Sequence, residues 1–128
     1  MKRIRQHLQK KLNDLQVDLT VDQWVILDRL NKQNGLSQQE LADGTYKDQP
    51  TVTRIIDLLC QKGYTVRETD PTDRRKFKIL LTPKGHEVIA TALPVVLAVR
   101  QQGWQGLSDE DYTNLLRILD TIYLNYQE

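Results

Sequence analysis

The hydrophobic period of this chain changes from helical to strand-like at Lys62-Gly63 and returns to helical at Thr82-Pro83. A set of helices interrupted by one short β-hairpin satisfies that pattern. Ahead of the switch, Ile4, Leu8, Leu12 and Leu15 recur at intervals of four, four and three. Thr20 stands three residues before Gln23, the spacing of a capping box. It opens a second helix with Trp24, Leu27 and Leu30 in its apolar stripe and Asn34-Gly35 as its stop. Ser37 and Glu40 repeat the box, with Leu36 and Leu41 placed as a hydrophobic staple, and Asp43-Gly44 ends this third helix. Asp48 caps a fourth helix, over residues 48–62, whose first turn accepts Pro50. Its apolar face is Val52, Ile55, Ile56 and Leu59, and Lys62-Gly63 closes it with a cation near the C-terminus.

Residues 64–69 read as a strand. Phe77, Ile79 and Leu81 alternate with Lys76, Lys78 and Leu80 to give a second strand with one apolar face. The polar run Asp70-Pro71-Thr72-Asp73-Arg74-Arg75 joins them. Thr82-Pro83 then starts a fifth helix, with a kink expected at Pro94 and breaks at Gly103 and Gly106. Ser108 and Asp111 open a sixth, containing Leu115, Leu116, Leu119, Ile122 and Tyr123. The expectation is therefore a mostly α chain of six helices with a small β-hairpin wing. Helices three and four plus the hairpin form a winged helix-turn-helix over residues 20–85, within a single domain. Residues 1–19 and 86–128 supply a helical region expected to dimerise.

The net charge of +1 conceals a gradient. Residues 1–19 carry five Lys/Arg against two acids and residues 36–85 nine against seven, whereas residues 86–128 carry two against six. The basic part suits phosphate and the last third would repel it. No apolar run reaches the roughly 20 residues of a membrane span, and the N-terminal stretch has no signal-peptide core. A soluble, cytoplasmic protein without membrane association is expected. The single cysteine, Cys60, cannot pair within the chain.

Packing the apolar face of the fourth helix inward turns Pro50, Arg54, Asp57 and Gln61 outward, with Thr51 and Thr53 on the flanks. Gln49, Thr51, Thr53 and Arg54 suit base edges and phosphates. On the hairpin, Arg74 and Arg75 stand at the tip, followed by Lys76, and arginine is drawn to the concentrated negative potential of a narrow minor groove. Asp73 is near enough to brace one guanidinium. Each feature has an ordinary counterpart, a solvated helix face in one case and a charged hairpin edge in the other. Their combination in one chain is what points to double-stranded DNA.

Residues 20–85 resemble the DNA-binding region of the MarR family of bacterial transcriptional regulators. The similar stretches include Leu36-Ser37-Gln38-Gln39-Glu40-Leu41-Ala42 and Thr51-Val52-Thr53-Arg54-Ile55-Ile56-Asp57-Leu58-Leu59. The most specific are Asp70-Pro71-Thr72-Asp73-Arg74-Arg75 and Leu81-Thr82-Pro83-Lys84-Gly85, which look like the wing signature of that family. The resemblance implies a homodimer with interlocked terminal helices, straddling a pseudo-palindromic operator. Helix four would occupy the major groove, and Arg75 would reach the minor groove with Arg74 beside it. The DNA-contacting set expected on this basis begins with Ser37, Gln38 and Lys47, continues through Gln49, Thr51, Thr53 and Arg54, and ends with Asp73, Arg74, Arg75 and Lys76. Many such proteins are repressors released by a small-molecule effector held in a cleft that helix two borders, which makes Trp24 the cleft candidate.

Cys60 reads as an ordinary structural thiol. His7 and His86 have no partners at metal-ligand spacing, so no metal or cofactor is expected. No nucleophile–base pair or phosphate loop appears, so the chain reads as a binding protein and not an enzyme. Some winged helices are assembly modules that bind no nucleic acid. Such a module would be expected to show an exposed apolar patch in place of paired arginines at the wing.

Overall fold

A computed structural model describes residues 2–127. Among them are α1 (Lys2–Asp14), α2 (Val21–Lys32), β1 (Leu36–Ser37), α3 (Gln38–Thr45), α4 (Gln49–Gln61), β2 (Thr65–Thr69), β3 (Phe77–Leu81), α5 (Pro83–Gly103) and α6 (Asp109–Asn125). The chain divides into two compact units, Met1–Val96 and Leu97–Glu128.

Local chemistry sets the helix starts in the first unit. At α2 the Thr20 hydroxyl accepts from the Gln23 amide while the Gln23 side chain accepts from the Thr20 amide, both at 3.1 Å. Ser37 and Glu40 make the same reciprocal pair at α3, and the Asp48 carboxylate accepts the Thr51 amide at 2.8 Å at α4. Each satisfies donors that a helix start leaves open. The core they enclose is led by Leu12, Ile26, Leu27, Leu30, Leu41, Ile56, Leu59 and Ile79, all fully buried. Burying a side chain of this size stabilises the fold by roughly 1.5–3 kcal/mol.

The wing is a three-stranded antiparallel sheet in the order β1-β3-β2. The hairpin pairs Thr65 with Leu81 and Arg67 with Ile79, and ends on a rung of Thr69 opposite Phe77. β1 adds Leu36 opposite Ile79. This third strand is a departure from the expected hairpin, since two residues are too short to show a period. Phe77 also departs from its expected place. It sits on the last rung and is 44% exposed, so the apolar face of β3 is only Ile79 and Leu81. Lys62 closes α4 through its backbone amide, which donates to the Leu58 carbonyl at 3.0 Å, but its ammonium turns away to Gln23 Oε1 at 2.8 Å and Asp18 Oδ1 at 3.0 Å, joining α4 to the start of α2. α5 runs through Pro94 without a break.

In the second unit, Ser108 and Asp111 cap α6 reciprocally, and the Trp104 and Tyr112 rings meet edge-on at 5.5 Å. No residue of α6 is buried.

Asp22 joins α1 to the turn before α4, accepting Arg5 at 2.8 Å and Lys47 at 3.0 Å. The Arg5 hydrogen bond holds its carboxyl below the ordinary 3.8, against the opposing effect of burial and with help from Lys47. A depressed carboxylate stabilises the fold above its unfolded-state value, and that contribution is lost as pH falls through the lower folded value. Asp22→Asn is therefore expected to lower the thermal midpoint at pH 7 and to lessen the further loss below about pH 4, the ordinary carboxylate range. Melting curves between pH 2.5 and 7 check this, and an acid limb identical to that of the parent would contradict it.

Candidate functional site

The polar side of α4 is set by what its apolar side must do. With Val52, Ile55, Ile56 and Leu59 buried, Gln49, Pro50 and Arg54 are exposed and Thr51 and Thr53 lie half-buried on the flanks. The Thr51 amide, bound to Asp48, holds that carboxyl below its ordinary value, so the helix start carries a fixed negative cap. The side chains of Gln49 and Arg54 make no hydrogen bond or ion pair among the described residues, although Arg54 is near enough to help stabilise the Asp48 carboxylate. They are available to an outside partner.

Other members of the expected contact set are occupied within the protein. Ser37 is taken up by its capping box. Lys47 is paired with Asp22, its side chain 20% exposed. Gln38 donates to Thr53 Oγ1 at 2.9 Å and accepts from Arg67 Nε at 3.1 Å. Trp24, the cleft candidate, is buried in the core at 3% exposure.

The wing tip is shaped by two aspartates. Asp70 Oδ1 accepts the Thr72 amide at 2.9 Å and the Thr72 hydroxyl at 2.7 Å, and those bonds hold its carboxyl below the ordinary value. Asp73 Oδ1 accepts the Arg75 amide at 3.0 Å. Such side-chain-to-backbone turns fix a loop without a core. The backbone bonds Asp70 N to Lys76 O and Lys76 N to Asp73 O, both 3.0 Å, close the tip. Arg74, Arg75 and Lys76 are left projecting. Arg75 is 96% exposed, with Nε 4.0 Å from Asp73, so the bracing inferred from sequence is made mainly through its backbone.

Arg67 is the polar residue that sequence reading missed. It shares the inward phase of β2 with buried Thr65, and its guanidinium is paired with Asp57 of α4. The signal was present: an arginine on the core-facing side of a strand has to find acceptors. Cys60 sits with its Sγ 3.3 Å from the Thr65 hydroxyl.

Two features thus converge in the first unit: a helix start with unengaged polar side chains, and a preorganised loop carrying adjacent cations. Residues 19–77 match the model of the MarR family. A protein of Thauera aromatica named as a transcriptional regulatory protein for the hcr operon is 34% identical over 89 residues, which cover 70% of this chain and 54% of that one. The chain thus spans about half the length of that relative. A MarR transcriptional regulator from Methanosarcina mazei Go1 superimposes with a TM-score of 0.84 at 25% identity, over 98% of this chain and 91% of the other. Bordetella bronchiseptica BpsR, whose DNA binding is regulated by 6-hydroxynicotinic acid, gives 0.83 at 27% identity, over 95% and 86%. With its winged helix fold, wing signature and family match, the segment over residues 19–77 is that of the MarR family.

Proposed function

We propose that this chain is a sequence-specific regulator of transcription that binds double-stranded DNA as a homodimer on a pseudo-palindromic operator, as a repressor responsive to a small-molecule effector. The observation that carries the DNA reading is the wing: Arg74 and Arg75 project from a tip held by Asp70 and Asp73, in the same unit as an α4 whose Gln49 and Arg54 are unengaged. Charge at a fixed loop suits a minor groove read by width and potential, and a helix N-terminus suits the major groove. Two such helices related by a two-fold axis need half-sites about 10–10.5 bp apart, or one helical turn. The effector is supported by analogy with BpsR, and dimerisation by the uncovered apolar face of α6.

Arg75→Ala tests this reading. Its loss removes a phosphate or minor-groove contact common to all sequences, so affinity for the operator and for random DNA should fall together. The slope of log affinity against log salt should flatten by about 0.9, one phosphate contact's worth. Arg54→Ala should instead relax preference at particular base pairs, at a cost on the order of 1–3 kcal/mol if it reads a base. Both residues lie off the core, so circular dichroism should be unchanged. An Arg75→Ala protein with unaltered affinity and salt slope would overturn the wing assignment and favour an assembly module.

A further inference from the structure

Arg67 is paired across the hairpin with Ile79 and has two acceptors, Gln38 Oε1 at 3.1 Å and the Asp57 carboxylate at 2.5 Å. Gln38 passes the contact on, its Nε2 donating to Thr53 Oγ1 at 2.9 Å. Thr53 and Asp57 are one turn apart on α4, so β2 grips the helix directly at one turn and through the start of α3 at the turn before.

This chain of bonds has a direction. A guanidinium only donates and stays protonated in proteins, so the oxygen end of the Gln38 amide must face Arg67. That aims the amide nitrogen at Thr53. The Thr53 oxygen therefore receives a hydrogen bond, and its own proton is left to donate elsewhere. The Thr45 hydroxyl donates back to the Leu41 carbonyl at 2.6 Å, whereas among the described residues Thr53 makes no such bond to its own helix.

We propose that Arg67, acting through Gln38, sets the polarity with which Thr53 meets a base edge. Thr53 presents a donor and selects a base offering an acceptor in the major groove: guanine O6 or N7, adenine N7 or thymine O4, against the cytosine amino group. Arg67 is thus a positioning residue for specificity. The inference rests on the reading of α4 as the recognition helix.

Gln38→Glu tests it in the full chain. A carboxylate at this position accepts from Arg67 and from Thr53 alike. The Thr53 proton then turns inward, and only lone pairs face out. Affinities are measured for the operator selected by the parent protein and for all single-base variants of one half-site. The parent should favour acceptor bases about five- to tenfold at one position, the value of one hydrogen bond. Gln38→Glu should reverse that ranking toward an amino-bearing base, and Thr53→Val should erase the ranking in both backgrounds. The added carboxylate also lowers affinity for all DNA, which changes the level and not the ranking. Arg67→Met frees the amide to turn over and should flatten the ranking. Asp57→Asn breaks the ion pair but leaves Arg67 on Gln38, and should keep it. A Gln38→Glu protein that binds every site more weakly in unchanged order would overturn the proposal, as would a Thr53→Val protein with the parent's ranking. A parent protein with no preference over random DNA would overturn the recognition-helix reading as well, and so separates the two failures.

Discussion

Gly85→Ala is expected to cost about 3 kcal/mol or more of stability, at the upper end for overpacking. A Cβ at Gly85 would collide with the Tyr64 carbonyl oxygen, a backbone atom that cannot rotate away. That carbonyl is already held by the Thr82 amide at 3.0 Å. The Thr82 hydroxyl in turn donates to the Gly63 carbonyl at 2.6 Å and accepts from the Gly85 amide at 3.0 Å. Gly63 has a φ of +80°, which lets the chain turn sharply between α4 and β2. One small knot therefore ties the end of α4, the start of β2 and the first turn of α5. Moving Tyr64 aside would break it at several points together. The Leu-Thr-Pro-x-Gly pattern at residues 81–85 is thus explained by close packing of backbone and not by contact with DNA. Thermal unfolding checks this, with a drop of roughly 6–12 °C or more, at 2–4 °C per kcal/mol for a somewhat larger domain. Gly103→Ala is the control. A Cβ there meets nothing within 4 Å, and alanine in a helix should be neutral or stabilising by up to about 1 kcal/mol. A Gly85→Ala midpoint within a degree or two of the parent would contradict the argument.

Three of the helices were legible because each carries its own start signal. Thr20 with Gln23, Ser37 with Glu40 and Ser108 with Asp111 act within a few residues, and the structure forms all three boxes. The hairpin was legible from Ile79 and Leu81 and from the turn-forming aspartates of its loop. What periodicity hid were relations between elements. β1 is two residues long and becomes a strand only because Leu36 finds Ile79. Lys62 looked like a helix-end cation, yet Asp18 and Gln23 compete for it from a segment 39 or more positions away. Phe77 kept the strand's alternation but fell on its last rung, beyond the cover that buries Ile79.

The candidate site shows the same division. Exposed cations at the wing were readable as a run, because solvent lets such residues stand where the chain puts them. The fates of Gln38 and Lys47 were not readable, since each is decided by a partner distant in sequence: Arg67 for one and Asp22 for the other. A polar residue near an interface can serve the partner or the scaffold, and only the three-dimensional neighbours decide which.

In the proposed homodimer, replacing Leu119 and Ile122 together with Asp is expected to leave a monomer and to weaken operator binding about a hundredfold or more. Tyr112, Leu115, Leu119, Ile122 and Tyr126 follow one another at alternating steps of three and four, the spacing of a helix seam. All five are at least 42% exposed, and Leu116 and Tyr123 beside the seam are exposed too. A stripe of this kind asks for a partner, and its acids Asp109, Glu110, Asp111 and Asp120 make DNA an unsuitable one. A second copy of the stripe is self-complementary under two-fold symmetry. Obligate interfaces of this sort bury roughly 2,000 Å² or more in total. Two buried, unpaired carboxylates per protomer would each cost several kcal/mol there. Because no residue of α6 is buried within one chain, the winged helix loses none of its own core. A monomer then engages one half-site, and the loss of linkage to the second forfeits the 10²–10⁴-fold that two tethered contacts supply. Sedimentation equilibrium reads the mass, and operator affinity against single half-site affinity reads the linkage. In the monomer the two affinities should converge. Mixing the Asp pair with a matching Lys pair at the same positions should restore both mass and affinity if the seam meets its own copy. A double-Asp protein that remained dimeric with full operator affinity would remove α6 from the interface.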